Sequence, residues 1–301
     1  MKAYPPIDMA RATVTFQVNN GASDTVYSVD GTERFWNGIS TYFRFERFIV
    51  DAGGVDWSYI YPMGPDRYLF RCFVTLPGKT SSEARALLRP LYQDLNRIGI
   101  GMPLPETFQT GPYASPSRAP AEPLAETRYR SRLFPRKNWD NAKLFRQTMS
   151  AIRSAIEANH TFHGLAISPT EQVAGWPGKT AAVNPAWRRN ILHAILIGPH
   201  PTDLTAQAAR EEEAAVQKHM TAWRAVSPGA GSYMNEGDPG EPNWQQAFYG
   251  SNYPKLRRIK EKRDPWGVFW AQTTVGSEGW EVRTLDGYPR SQNGRLCKVK
   301  K

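Results

Sequence analysis

Tyr233 and Asn235 stand two positions apart in the run Ser227-Pro-Gly-Ala-Gly-Ser-Tyr-Met-Asn-Glu-Gly-Asp-Pro239, where residue types and spacing suit chemistry. An asparagine amide presents a donor and an acceptor side by side, which matches the edge of a planar heterocycle carrying alternating carbonyl and N–H groups. On an extended chain a phenol two positions away points to the same side, where it could take a proton from a substrate hydroxyl. An ordinary tyrosine, with a pKa of about 10, is a poor base at neutral pH, so a nearby cation or an acidic partner network must tune it, and Arg188 is a candidate. Small residues from Ser227 to Gly231, together with Gly237, would let the backbone pass close to a flat ligand. The alternative is that Tyr233 buries its ring and simply hydrogen-bonds its hydroxyl.

Asn184-Pro-Ala-Trp-Arg188 is a second candidate. Trp187 could stack on an aromatic or sugar ring, and Arg188 could hold an anionic group or stabilise a phenolate. The competing reading is a strand start with Trp187 in the core and Arg188 at its rim. His160 and His163 fall on opposite faces of a strand-like run, which argues against a shared metal. Cys72 and Cys297 are too few and too scattered for a disulfide framework or a thiolate metal site, and read as free thiols. Gly78-Lys-Thr80 and Gly178-Lys-Thr180 mimic a phosphate-binding loop, but Phe73 and Val173 stand where that motif needs glycine. No serine-hydrolase elbow or zinc-protease helix occurs.

From Tyr233-Met-Asn235 the sequence continues through Trp244, Phe248-Tyr-Gly-Ser-Asn-Tyr253, Leu256, Ile259-Lys260 and Asp264-Pro-Trp-Gly-Val-Phe269. In that order these residues resemble the C-terminal segment of berberine-bridge-enzyme-like FAD-linked oxidoreductases of the vanillyl-alcohol-oxidase fold. The resemblance implies that Tyr233 is the catalytic base, that Tyr233 and Asn235 contact FAD, and that Trp187, Arg188 and His163 face a small organic substrate. It also implies oxidation of an alcohol or activated C–H by hydride transfer to the flavin. In that family the flavin rests on an N-terminal domain, and Met1-Lys-Ala-Tyr-Pro-Pro6 is similar to its last strand. The expected organisation is therefore the end of a flavin-binding domain at 1–11, a substrate domain at 12–225, the berberine-bridge-like segment at 226–285 and a basic tail at 286–301. A separate or upstream flavin domain would be the partner; otherwise the chain is a non-catalytic remnant or a binding partner using the old substrate face.

The elements that must position these residues are legible as periodicities. Val14, Phe16 and Val18 alternate with polar residues as in a half-buried strand, and Phe35/Trp36, Ile39 and Tyr42/Phe43 fit a helix lying on a sheet. Strands are expected from Trp57 to Tyr61 and from Tyr68 to Thr75. A capping box at Thr80-Ser-Ser-Glu83 opens a helix with Pro90 inside it. Gly101 to Pro135 reads as a proline-rich loop, with order resuming at Ser131. A helix around Leu144 to Ile156, strands at Thr161–Ile167 and Asn190–Ile197, and a helix from about Thr205 to Trp223 follow. The order predicts an α+β fold, a mostly antiparallel sheet with helices on one face, plus a C-terminal helical segment suited to pack on a flavin domain. There Asn243 would cap a helix, Pro254 would open the next, and Asp264-Pro265 would end it.

At 301 residues the chain has no apolar run long enough to cross a bilayer, and no apolar stretch follows Met1-Lys2, which predicts neither a membrane span nor a secretory leader. The net charge of +10 invites a nucleic-acid reading. The densest basic run, Arg257-Arg-Ile-Lys-Glu-Lys-Arg263, instead predicts a helix with Leu256 and Ile259 inward and its cations in solvent.

Overall fold

The computed structural model describes residues 7–18, 27–104, 107–110, 127–174, 181–199 and 203–299. Met1 to Pro6, Gly178 to Thr180 and residues 111–126 of the proline-rich stretch lie outside them. The chain divides into two compact units, one within Met1–Leu124 and Arg136–Ser168, the other within Ala125–Pro135 and Pro169–Lys301.

The first unit contains β1 (Met9–Val18), β2 (Tyr27–Val29), α1 (Thr32–Asp51), β3 (Val55–Pro62), β4 (Tyr68–Pro77), α2 (Ser81–Arg97) and β5 (Thr107–Thr110). After β6 (Thr127–Pro135), which belongs to the second unit, come α3 (Lys137–Asp140), α4 (Ala142–Glu157) and β7 (Thr161–Ala166). The strands order β2-β1-β4-β3-β7, antiparallel except for the β1–β2 pair, with β5 also on β1. The α+β expectation holds. Alternation sends Val14, Phe16, Ile60, Phe70, Cys72 and Phe162 to one face, where α1, α2 and α4 cover them. Phe16 meets Phe35 and Phe70 at ring separations of 5.4 and 5.0 Å, and Phe43 meets Phe162 at 5.7 Å. The opposite face carries Trp57 and Phe73, 40% and 42% exposed, and the ring row Tyr61, Tyr59 and His163.

A pair of carboxyl groups interrupts the covered face. Glu46 of α1 and Asp56 of β3 are fully buried beside Tyr42 and Cys72. The Tyr42 hydroxyl donates to Asp56 at 3.0 Å and lies 2.7 Å from the Cys72 sulfur. Both Glu46 oxygens and Oδ1 of Asp56 lack a hydrogen-bond partner among the described residues. Burial pushes both carboxyls up, Glu46 well above its usual range with the charge of Asp56 adding to it, and Asp56 to about 7.

The second unit contains β6, a one-turn helix α5 (Glu171–Ala174), β8 (Asn190–Pro199), α6 (Ala206–Val226), α7 (Tyr253–Arg263) and a hairpin of β9 (Trp280–Arg283) with β10 (Arg295–Lys298). β6 pairs antiparallel with β8 from Thr127 onward, so order resumes four residues before the expected Ser131. The prolines around it made it read as loop, yet it is a strand whose Arg130 and Arg132 are buried because α6 and the following segment supply Glu213 and Glu241 as partners. α6 starts at Thr205, whose hydroxyl accepts from Ala208 N, and buries Val216, Met220 and Trp223. The expected tail is structured too: Arg295–Lys298 forms β10.

Candidate functional site

The segment before Tyr233 is clamped to the edge of β6. Leu133 N donates to Gly231 O at 2.8 Å, the Ser131 and Ser232 hydroxyls are 2.8 Å apart, and Ser232 N donates to Ala247 O at 2.8 Å. Asn184 Nδ2 donates to the same Ala247 carbonyl at 2.7 Å. A Cβ on Gly231 would lie 2.7 Å from Asn184 Nδ2, and Gly250, at φ 58°, approaches Asn184 from the other side. A Cβ on Gly237 would strike the Phe248 ring at 2.7 Å. Gly231 and Gly237 therefore make room for the protein's own packing, where the sequence suggested room for a ligand.

Met234–Glu236 is a turn of 3-10 helix, so Tyr233 and Asn235 do not sit on an extended chain. The pairing survives by another route: Asn235 Nδ2 donates to the Tyr233 hydroxyl at 2.6 Å. Tyr233 is half-buried, packed edge-to-face on Trp187 at 5.8 Å and on His193 at 5.7 Å, and those two rings are 5.3 Å apart. Trp187, a candidate to stack on a substrate, instead packs against Tyr233. His193, on β8 and 1% exposed, is a member that sequence reasoning missed; its Nδ1 lies 3.7 Å from Glu236 Oε2. A histidine inside the apolar run Ile191-Leu-His-Ala-Ile-Leu196 was the available signal. Burial raises the Glu236 carboxyl above its ordinary value.

Asn235 is exposed and lines a cavity of about 670 Å³ with Tyr129, Tyr288 and Gln272. Its Oδ1 and second amide N–H have no partner among the described residues, so the group can still present an acceptor and a donor to a heterocycle edge. Arg188 is placed elsewhere: its Nη1 donates to Pro169 O at 2.9 Å, with no bond or ion pair to Tyr233. His163 belongs to the first unit, stacked on Tyr59 at 4.3 Å and 14°, and burial lowers its pKa to about 4.

Beyond the turn, Trp244, Tyr249 and Tyr253 cluster, while Phe248 is buried. Asn243 does not cap as expected; it adopts φ 53° and leads into a short π-helix, Gln245–Tyr249. Pro254 does open α7 and Asp264 closes it. No residue of α7 is buried, and Ile259 is 48% exposed, so the inward stripe expected there has no cover among the described residues. Asp264 then accepts from Val268 N and Phe269 N, fixing a loop that presents Trp266, Val268 and Phe269 at 78%, 72% and 79% exposure.

Comparison with known proteins finds flavin-linked oxidoreductases. Residues 232–276 match the family described as "Berberine and berberine like". The chain is 31% identical over 313 residues to the FAD-linked oxidoreductase patO of Aspergillus clavatus, covering 100% of this chain and 49% of that protein. To the VAO-type flavoprotein oxidase VAO615 of Thermothelomyces thermophilus it is 30% identical over 288 residues, covering 90% and 46%. The crystal structure of the VAO-type flavoprotein MtVAO615 from Myceliophthora thermophila C1 superimposes with a TM-score of 0.76 at 25% identity, over 97% of this chain and 50% of that one. The chain is a homologue of the FAD-linked oxidoreductases of the VAO and berberine-bridge type, and it spans about half the length of the curated relatives it matches.

Proposed function

We propose that this chain forms the substrate-facing and C-terminal flavin-contacting part of an FAD-linked oxidoreductase that oxidises an alcohol or an activated C–H. The observation that carries the reading is the 2.6 Å bond from Asn235 to the Tyr233 hydroxyl inside the family-matched segment. Bound FAD would supply the two-electron acceptor. Asn235 Oδ1 and its remaining N–H would hold the cofactor's edge, while the N–H given to Tyr233 would orient the phenolic oxygen. Tyr233 Oη then takes the substrate proton, and the Trp187 and His193 edges fix the ring that carries it. Separately, on the first unit, the Tyr59, Tyr61 and His163 row forms a flat aromatic face with Trp57 and Phe73. That exposed aromatic face also favours a second reading, a non-catalytic chain that binds a partner there.

Kinetics of a flavin-loaded protein containing this chain separate the two. Tyr233→Phe should slow flavin reduction by about a hundredfold or more with flavin content nearly unchanged, because only the proton acceptor is removed. Asn235→Ala should instead lower flavin retention. Equal single-turnover reduction rates for wild type and Tyr233→Phe would return Tyr233 to a packing role.

A further inference from the structure

Asn159-His-Thr161 is the one Asn-x-Ser/Thr triplet in the 301-residue sequence, and its central residue is not proline. It falls in the first unit, where α4 hands over to β7. Asn159 N donates to Ile156 O at 2.9 Å and His160 N to Ala155 O at 3.3 Å, the two nested bonds that close a helix through a left-handed residue. Asn159 is that residue, at φ 69°. Glycine is the usual occupant of such a position and asparagine the less common one, so the backbone alone does not call for an amide there.

The fold makes no use of the two side chains that define the triplet. Asn159 is exposed, and its amide has no hydrogen bond among the described residues. Thr161 stands one residue before Phe162, where pairing with β3 begins, and its half-buried hydroxyl has no hydrogen bond among them either. His160 between them is 6% exposed, which anchors the turn and leaves its neighbours on the outer side. Beside Asn159, the β3–β4 turn of Gly64, Pro65 and Asp66 and the last turn of α4 leave an open hollow of about 560 Å³. A bulky group on the amide therefore has room.

We propose that Asn159 is an acceptor for an N-linked glycan wherever the chain meets an oligosaccharyl transferase. The co-reactant is a lipid-linked oligosaccharyl diphosphate. Nδ2 of Asn159 attacks C1 of its first sugar, the new C1–N bond replaces the C1–O bond, the lipid diphosphate leaves, and the amide gives up one proton. Nothing is oxidised or reduced. The Thr161 hydroxyl, two positions on, is the second group by which the transferase recognises the acceptor. The site uses none of the residues assigned to flavin or substrate, so it stands or falls apart from the redox reading.

Expression of the chain behind a cleavable secretory leader in a eukaryotic host tests it, with total cell protein and medium pooled so that secretion yield does not matter. Leader removal, read by mass spectrometry of the same digest, marks the chains delivered to the lumen. In these, treatment with a peptide:N-glycosidase should lower the apparent mass by one glycan and convert the amide at position 159 to its acid. Asn159→Gly, which suits the left-handed backbone at least as well, should abolish the shift while the chain still folds. Thr161→Val should abolish it too, and Thr161→Ser should keep it. Delivered wild-type chain with position 159 unmodified would overturn the proposal. So would a shift that persists in Asn159→Gly, because the glycan would then sit elsewhere.

Discussion

At the residue scale, the sequence showed Tyr233 and Asn235 together but mistook how they meet. Alternation on an extended chain was the wrong geometry; a 3-10 turn brings the amide to the phenol instead. His193 escaped notice because a single histidine in an apolar strand carries no spacing signal, and only folding sets it against Trp187 and Glu236. His163 offers a test of its own. Its folded pKa, about 4, lies below the unfolded value near 6.5, so the unfolded state binds the extra proton between those limits. Stability from keeping this ring neutral is present above about pH 6.5 and is lost as pH falls toward 4, on the order of 3 kcal/mol at most. His163→Phe should therefore flatten the acid limb of the melting-temperature profile. An unchanged limb, or a His163 titration near 6.5 by NMR, would contradict the placement.

At the element scale, periodicity found α1, α2, α4, α6 and most strands, because each buries one face against a neighbour. It failed at β6, read as part of a proline-rich loop, whose alternate arginines are buried against Glu213 and Glu241 from elements far along the chain. It failed again at α7, whose Ile259 was assigned a core that the described residues do not supply. Glu46 was equally hidden, a carboxylate within the apolar stripe of α1. Raised folded pKa values at Glu46 and Asp56 mean that the folded state binds more protons, so their stabilising contribution is present below about pH 4 and is lost as pH rises through about 7. Glu46→Gln, which removes one charge without changing shape, should raise the melting temperature at pH 8 and change it little at pH 4. Gains on the order of a few kcal/mol are expected. Melts at the two pH values decide it: equal shifts at both, or a loss at pH 8, would show that the carboxylate is not the strained group.

At the scale of the whole molecule, resemblance carried more than pattern did. No composition or spacing rule names a flavin; the ordered residues from Tyr233 to Phe269 do, and the homologous FAD-linked enzymes agree. The 301-residue chain expressed alone should lose added FAD on desalting, since one asparagine and one tyrosine replace few of the contacts a dinucleotide needs. Retention of a stoichiometric yellow band would refute this. The loop of Trp266, Val268 and Phe269 should also bind a hydrophobic dye in the folded state, because three large apolar side chains are held outward rather than left to collapse. Loss of most of that signal on Trp266→Ser/Phe269→Ser, with the fold intact by circular dichroism, is the expected control.

The interleaving of the two units bears on how the chain is made. A ribosome delivers β6 before α4 and β7, although β6 belongs with β8 and α6, which emerge later. The first unit therefore completes its sheet after β6 has emerged, and that strand waits with its backbone edge unpaired and its arginines without their carboxylates. Vectorial synthesis exposes such an edge to chaperones and to other nascent chains. Slow decoding between Ala166 and Asn190 would lengthen the wait, so expression yield should respond to codon choice there more than within the local hairpin of β3 and β4.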